Sequence, residues 1–401
     1  MDFSLSSVHK RIQTLGQELA ADFETRTAVH DRDASAPREN YAALQQAGFF
    51  GLTVPQELGG WGGGFFGHVL AVEALAQGCP ATALTFNMHT SALGLIIDDP
   101  IASPGVKQRA ADLAVRDGKL IAATFSEPGT SSLLLSTYLP TLHAQRVDGG
   151  YRLTGRKVFV SMIEAADYVY LVAHPEDADS PLASMGLLVP RHAPGQRVEQ
   201  VWDTLGMRAT RSNTLIFEGC QISDEAVCSR TDNFFKWSQT SPQWAFGSYT
   251  AVYLGVGAAA YQHALKAFKE RVPKGYTQSM AYHPDVRRRV AEMNADLEAA
   301  RLVMYHAAWL VDSEGITPRT TAALFRAKYV VGEAVARITR TALTTCGTHG
   351  LFKTGLLEQL FRDGASAPIM SPNSDVSLSN LGSLELGLDP REVLPPLKKG
   401  R

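Results

Sequence analysis

Two short segments near the middle of the chain contain the residues best suited to chemistry. Residues 123–132 concentrate hydroxyl side chains around a Glu-Pro-Gly turn, where hydroxyl oxygens and unpaired backbone N–H groups can hold a sugar-alcohol chain or a phosphate. Residues 154–161 place the ring of Phe159 and the hydroxyl of Ser161 two positions apart, so the pattern predicts both side chains on one face of a strand. The candidate ligands in the first segment are Phe125, Ser126, Ser131 and Ser132.

Size and composition narrow the class of protein. The chain has 401 residues, is 45% hydrophobic and carries a formal net charge of −2, which indicates a globular protein of two or three domains without a nucleic-acid partner. Its four cysteines lie far apart without metal-ligand spacing, so we expect free thiols and no metal site. The sequence shows no secretory signal and no run of about 18 apolar residues, so we expect a cytoplasmic protein without a membrane span.

The hydrophobic periodicity changes twice along the chain. Residues 1–118 show helical spacing, residues 119–235 show short β runs separated by turn residues, and residues 236–401 return to helical spacing. Apolar residues recur at alternating steps of four and three from Val286 to Val311, which predicts a long helix in an antiparallel bundle. We therefore predict an α+β protein with an N-terminal helical domain, a middle β domain and a C-terminal helical bundle over these three ranges.

These segments, in this order, resemble the acyl-CoA dehydrogenase family of flavoproteins over nearly the whole chain. The resemblance implies the fold of that family, with an N-terminal helical domain, a middle β-barrel-like domain and a C-terminal four-helix bundle. It also implies FAD as the cofactor. In the family, the aromatic residue matched by Phe159 packs on the isoalloxazine ring, and the hydroxyl matched by Ser161 bonds near the reactive nitrogen of that ring.

Further matches lie in the C-terminal part of the chain. Arg271 matches an arginine that reaches the flavin diphosphate across a subunit interface, which implies a homodimer or homotetramer. Gly347 matches a glycine turn and Arg362 an Arg-Asp pair, while Thr344 replaces the glutamine of the family. The cofactor-binding set implied by the resemblance is Phe125, Ser126, Ser131, Ser132, Phe159, Ser161, Arg271, Thr344, Gly347 and Arg362.

The catalytic carboxylate of the family has no counterpart in this sequence. Dehydrogenation of an acyl thioester needs a base that takes the α-proton while hydride leaves the β-carbon. Ser371 occupies the position of the usual Glu, and residues 233–269, where other members carry the base, contain no Asp or Glu. Three substitutes remain: Asp375, which could instead cap the next helix; His89, which could instead be a satisfied core residue; and His349 in the glycine turn.

Several functions are compatible with these residues. The first hypothesis is an FAD-dependent oxidoreductase acting on an acyl thioester of CoA or a carrier protein, with an atypical base or one supplied by a partner. The second is a flavin-dependent monooxygenase on the same fold, which needs no α-proton base; Leu133 in place of an acid of the family supports it. The third is a non-catalytic flavin-binding subunit in a hetero-oligomer with a Glu-bearing homologue. An elimination such as desulfination is a fourth.

Overall fold

The computed structural model describes residues 4–129 and 140–388. Helices come first, a β-sheet follows, and helices form the remainder, so the predicted fold class and the order of its three regions are confirmed. Within the described residues, no helix is both long enough and apolar enough to cross a membrane.

Five helices form the N-terminal region. They are α1 (Ser7–Asp33), α2 (Arg38–Gln46), α3 (Gly64–Gly78), α4 (Pro80–Ile97) and α5 (Pro104–Val115). Helix α1 begins at Ser6, whose hydroxyl accepts the backbone N–H of His9, and it packs along α3. Every residue of α4 except Met88 is buried, which agrees with its apolar composition on all sides.

The described part of the middle region contains eight strands. They are β1 (Ile121–Thr124), β2 (His143–Val147), β3 (Gly150–Val160), β4 (Tyr168–Pro175), β5 (Ser184–Pro190), β6 (Gln196–Glu199), β7 (Asn213–Ser223) and β8 (Val227–Thr231). The sheet order is β6-β7-β3-β2-β4-β5-β8, and β1 runs parallel beside β4. The β2–β3 hairpin turns at residues 148–149, with Gly149 at φ 71°.

The C-terminal region contains α6 (Phe234–Ser238), a π-helical turn (Gln243–Gly247), α7 (Thr250–Glu270), α8 (Pro284–Glu314), α9 (Pro318–Cys346), α10 (Leu357–Gly364) and α11 (Ser374–Glu385). Helix α9 packs against α7, α8 and α11. The predicted apolar seam of α8 is buried against this bundle at Val286 and Val311, with Val290 half-buried between them. The hydroxyl of Thr317 caps the start of α9 by accepting the backbone N–H of Thr320.

Candidate functional site

A cavity of about 1290 Å³ lies where the three regions meet. Its volume exceeds the roughly 300–1,000 Å³ of a pocket for one small ligand, so it has room for two ring systems. One face of α4 contributes to the lining, as do the ends of β1 and β3, the start of α9 and residues 365–371. The contributing residues of α4 are Leu84, Met88, Ser91 and Leu95.

One wall of the cavity is built on a β-bulge in β3. This strand pairs with β7 at Lys157 and again at Val160, so two residues of β3 lie opposite one of β7. The bulge holds Phe159 at φ 56° with 62% of the residue exposed, and its side chain lines the cavity. Ser161 lines the cavity just after β3 ends. Both side chains therefore reach the same cavity, but they do so through a bulge at the end of β3 and not along a regular strand.

Ser161 ends a chain of three hydroxyl groups. Thr210 donates to the carbonyl of Met207 at 2.8 Å, and the Oγ atom of Ser212 lies 2.8 Å from the hydroxyl oxygens of both Thr210 and Ser161. Each hydroxyl has one proton to donate. Because Thr210 donates its proton to Met207, Ser212 must donate to Thr210, and Ser161 must donate to Ser212. Ser161 therefore presents only acceptor lone pairs to the cavity.

A buried ion pair fixes the hydroxyl-rich turn behind this wall. Lys157 and Glu127 approach to 2.5 Å, and neither side chain has exposed surface. Burial lowers the pKa of Lys157 to about 8, against the attraction of Glu127. The Glu127 carboxylate also accepts the backbone N–H of Thr141, and the N–H of Val158 donates to the carbonyl of Ser126. These contacts tie the turn after β1 to the bulged strand.

The lining is rich in aromatic side chains and uncharged. Aromatic residues make up 8% of the chain, but they account for eleven of the described lining residues: Phe125, Phe159, Trp202, Phe234, Phe235, Trp237, Trp244, Phe246, Tyr249, Tyr253 and Phe325. No lining residue in the described ranges is Asp, Glu, Lys, Arg or His. Burial raises the pKa of Tyr249 and Tyr253 well above the usual phenol value, so both stay neutral at physiological pH. The described lining therefore carries no formal charge.

The structure places Ser371, which the resemblance aligns with the usual Glu, apart from Asp375, the nearest carboxylate along the chain. Ser371 lines the cavity. Asp375 is exposed in the first turn of α11 and is not among the lining residues; Asn373, rather than Asp375, caps that helix by accepting the N–H of Val376. His349 is exposed in the turn after α9 and also does not line the cavity. A base role for Asp375 or His349 has no support in this arrangement.

His89 is a structural residue of the core. Its Nε2 donates to the carbonyl of Phe50 at 3.0 Å, and its Nδ1 accepts the N–H of Ile121 at 3.1 Å. The side chain is fully buried, and burial lowers its pKa to about 4. Both nitrogens are occupied and the ring does not line the cavity, so the expectation that His89 serves as a base is not supported. The ring instead joins α4 to β1.

Arg362 is engaged inside the protein. All five of its N–H donors have partners, which are the carboxylates of Asp31 and Glu358 and the carbonyl of Leu205. The adjacent Asp363 is buried and accepts the N–H of Met207 at 2.5 Å. All donors of Arg362 are therefore engaged within this chain, and the cofactor contact that the resemblance implies for it stays a prediction. It joins α1, α10 and the loop before residue 206.

The other residues implied to hold the cofactor fall into two groups. Arg271, Thr344 and Gly347 are exposed at the ends of α7 and α9, where Arg271 donates to the carbonyl of Cys346 at 3.2 Å. They do not line the cavity within this chain, and their proposed contact is one that would cross a subunit interface. Phe125 and Ser126 line the cavity. Ser131 and Ser132 lie outside the described residues.

Sequence reasoning missed several residues of the site. Ser212 and Thr210 fix the direction in which Ser161 donates its proton, but nothing in their local sequence reveals these hydrogen bonds. Trp202 lies with its ring 6.2 Å from that of Phe159 and edge-on to it. Lys157 follows Arg156 in a strand, and its burial could have been found only from the alternation of β3, which predicts that every second residue points inward.

Family models of acyl-CoA dehydrogenase match most of the chain. The N-terminal domain matches residues 8–109, the middle domain residues 122–220 and the C-terminal domain residues 246–383. The three matches follow one another in the order of the regions described above.

Relatives with different reactions are about equally similar. The chain is 28% identical to the putative acyl-CoA dehydrogenase YdbM of Bacillus subtilis, over 91% of this chain and 94% of that protein. It is also 28% identical to the amino sugar nitrososynthase DnmZ of Streptomyces peucetius, over 94% and 93%. Among solved structures, the FAD complex of PigA superimposes with a TM-score of 0.83 at 22% identity, covering 97% of this chain and 100% of that one.

Proposed function

This chain belongs to the acyl-CoA dehydrogenase family, and we propose that it is a flavin-dependent monooxygenase acting on a neutral, ring-containing small molecule. The observation that carries the proposal is the absence of Asp, Glu, Lys, Arg and His from the described lining of the cavity. The sequence of residues 130–139, which lie outside the described ranges, contains none of these five residue types. A dehydrogenase needs a base beside the α-carbon, whereas oxygenation by reduced flavin and molecular oxygen does not remove an α-proton.

The residues of the bulged wall fit a flavin, and we assign FAD to it. The exposed ring of Phe159, with Trp202 edge-on to it, offers an apolar surface for a flat ring system. Ser161 offers acceptor lone pairs that suit an N–H of that ring system, and Thr124 and Ser126 add hydroxyls at the end of β1. When bound and reduced, a flavin supplies two electrons to molecular oxygen.

The protein's own part in the reaction is to bind and orient the ligands and to exclude water. The aromatic lining excludes water and disfavours charged ligands, because a charge in this cavity would lose its hydration without gaining a partner. The ordered hydroxyl chain keeps Ser161 an acceptor. In the balanced reaction, one oxygen atom enters the substrate and the other leaves as water, using two electrons and two protons. The electrons come from an external reductant such as NADH, through a flavin reductase.

Isotope labelling tests the proposal. The FAD-loaded protein is photoreduced without oxygen and then mixed with ¹⁸O₂ and a panel of neutral aromatic and heteroaromatic amines, sulfides and phenols. We expect mass spectrometry to find one ¹⁸O atom in the product of at least one compound. Release of all the oxygen as hydrogen peroxide with every compound would contradict the proposal, as would reduction of the flavin by an acyl-CoA.

A second candidate is dehydrogenation of an acyl thioester with a base from a partner chain, supported by the similarity to YdbM and by the position of Ser371 in the lining. Ser371→Glu tests it, with Ser371→Gln as the isosteric uncharged control. If thioesters are the substrates, the Glu variant should be reduced by an acyl-CoA on the order of 10²-fold faster than the Gln variant. Under the monooxygenase proposal, neither variant is reduced.

A further inference from the structure

Two consecutive aspartates at the end of α4 each hold one tryptophan of the cavity wall. The carboxylate of Asp98 accepts the indole N–H of Trp244 at 2.6 Å, and that of Asp99 accepts the indole N–H of Trp237 at 2.8 Å. Asp98 also accepts the side-chain amide of Gln243 at 3.1 Å. Both tryptophans are buried and line the cavity. Carboxylates at a helix C-terminus oppose the helix dipole, so the stability of α4 does not explain them, although Asp99 also accepts the backbone N–H of Ile101 at 3.0 Å in the turn that follows.

The indole of Trp244 is fixed from several sides. It lies so close to Gly94 that a Cβ atom there would come within 2.2 Å of the ring. The rings of Phe65 and His68 contact it edge-on, with centroids at 5.3 and 5.5 Å. A ring held by this packing and by a hydrogen bond from its N–H has one orientation, so it presents a rigid flat surface to the cavity.

The backbone around Trp244 also departs from a regular helix. Residues 243–247 form a π-helical turn, a rare conformation that occurs frequently at functional sites. Ser241, just before this turn, is 3% exposed and lines the cavity, and its buried hydroxyl has no hydrogen-bond partner among the described residues. A buried polar atom without a partner is costly, and a ligand with a polar group can supply one.

We propose that Asp98 and Asp99 are positioning residues that hold Trp244 and Trp237 as a rigid wall, and that this wall selects an uncharged planar ring ligand with a hydrogen-bonding group. The inference deepens the proposed function and rests on it for the identity of the cavity as the substrate site. Ring faces favour stacked or edge-on aromatic ligands, and the missing charge disfavours acids and amines in ionised form. The unpaired hydroxyl of Ser241 is the partner that we assign to the hydrogen-bonding group of the ligand.

Binding of a matched pair of probes tests the ligand class. Indole is neutral, and indole-3-carboxylate is an anion with the same ring system at pH 7.5. Each is titrated into the oxidised FAD-loaded protein, and the change in the visible flavin spectrum gives the dissociation constant. We expect indole to bind at least about tenfold tighter than the carboxylate. Equal affinities, or no binding of indole, would overturn the proposal.

Variants test the positioning role. Asp98→Leu removes the acceptor, and Asp98→Asn retains one. We expect the Leu variant to bind indole about tenfold more weakly and the Asn variant to lie within about threefold of the wild type. Asp117→Leu removes an exposed carboxylate elsewhere and is the control, with no expected change. Indistinguishable Leu and Asn variants would overturn the role of Asp98.

A spectroscopic readout separates positioning from general damage. The chain has five tryptophans, so 5-fluorotryptophan labelling gives a ¹⁹F spectrum of five signals, in which Trp244→Phe identifies one. We expect Asp98→Leu to move the Trp244 signal while FAD affinity is kept. Gly94→Ala is a second route, since its Cβ must displace the same indole while the Asp98 carboxylate is kept; it should weaken indole binding similarly. An unmoved signal in both variants would overturn the proposal.

These measurements need no oxygen and no turnover. Preferential indole binding without ¹⁸O incorporation for any compound would therefore overturn the proposed monooxygenase activity. It would still support the proposal that the tryptophan wall selects the ligand. Incorporation of ¹⁸O into a compound of the neutral panel, with equal affinity for the two probes, would support the monooxygenase and overturn the role of the wall.

Discussion

Two buried regions of this protein differ in how they accommodate charge. The contacts between secondary-structure elements contain buried ion pairs, among them Lys157–Glu127 and Arg362–Asp31, in which the charged groups have close partners. The described lining of the cavity contains no formal charge. The chain therefore buries charge where it pairs and excludes it where a ligand would bind. A neutral lining is thus a local property of the site and not a consequence of an apolar interior.

The largest expected effect comes from removing one partner of an ion pair between secondary-structure elements. Lys157→Met leaves the Glu127 carboxylate buried without its cation and should lower the free energy of unfolding by about 3–5 kcal/mol, measured by denaturant titration. The double variant Lys157→Met/Glu127→Gln removes both charges and should recover a substantial part of that loss. A double variant no more stable than the single one would show that the pair is not what stabilises the turn.

Arg362 and Arg271 allow a second comparison between an engaged and an exposed charge, because the resemblance assigned both to the cofactor. Arg362→Gln breaks the contacts of a guanidinium with five engaged donors and should cost about 2–3 kcal/mol of unfolding free energy. Arg271→Gln removes one contact of an exposed side chain and should cost less than about 0.5 kcal/mol while weakening FAD retention. Equal losses of stability in the two variants would contradict these assignments.

His89 predicts a dependence of stability on pH. Burial lowers its pKa to about 4, whereas an unfolded histidine has its ordinary value near 6.5. Between these values the unfolded chain binds a proton that the folded chain does not, so the stability contributed by neutral His89 is complete above pH 6.5 and falls as the pH drops towards 4. His89→Gln should lose about 2 kcal/mol less than the wild type between pH 7.5 and 5.

The variant must be compared with the wild type at both pH values. Buried His68, with its pKa also lowered to about 4, acts in the same direction, while Asp363, whose pKa burial raises to about 7, acts in the opposite one. Both groups remain in the variant, so their contributions cancel in the difference between the two proteins. Identical pH dependence of wild type and variant would show that folding does not lower the pKa of His89.

The hydroxyl chain predicts the smallest effect. Ser212→Ala frees the proton of Ser161, which can then donate to the cavity instead of only accepting. An acceptor favours a reduced ring that bears an N–H, so its loss should lower the two-electron midpoint potential of bound FAD by roughly 20–30 mV, the equivalent of one hydrogen bond. Val227→Ala, in a strand outside the lining, is the control. An unchanged or raised potential contradicts the assigned proton order.

Periodicity predicted the fold because each region buries a face with its own repeat. The seam from Val286 to Val311 and the Thr317 cap are local signals, and the helices follow them. The β3 bulge was not predictable in this way, since it depends on the pairing of Val160 with Asn213 some fifty residues along the chain. Local patterns therefore gave the elements, and tertiary pairing decided the direction of Phe159.

The candidate site was predicted in part. Phe125, Ser126 and Ser371 line the cavity, and each was reached from a motif. The contacts of Arg362 could not be predicted, because its partner Asp31 lies in α1, far along the chain, so only the tertiary structure shows that its donors are engaged. The uncharged lining could not be read from the sequence either, because it is assembled from separate segments of all three regions.

The central claim is that this cavity holds a flavin ring and no base of its own. The most direct measurement is to mix the FAD-loaded wild-type protein, without oxygen, with short-, medium- and long-chain acyl-CoAs and to follow the visible absorbance of the flavin. The account predicts that the flavin stays oxidised with every thioester. Rapid bleaching by any of them would show that an α-proton is being removed, and it would contradict the account.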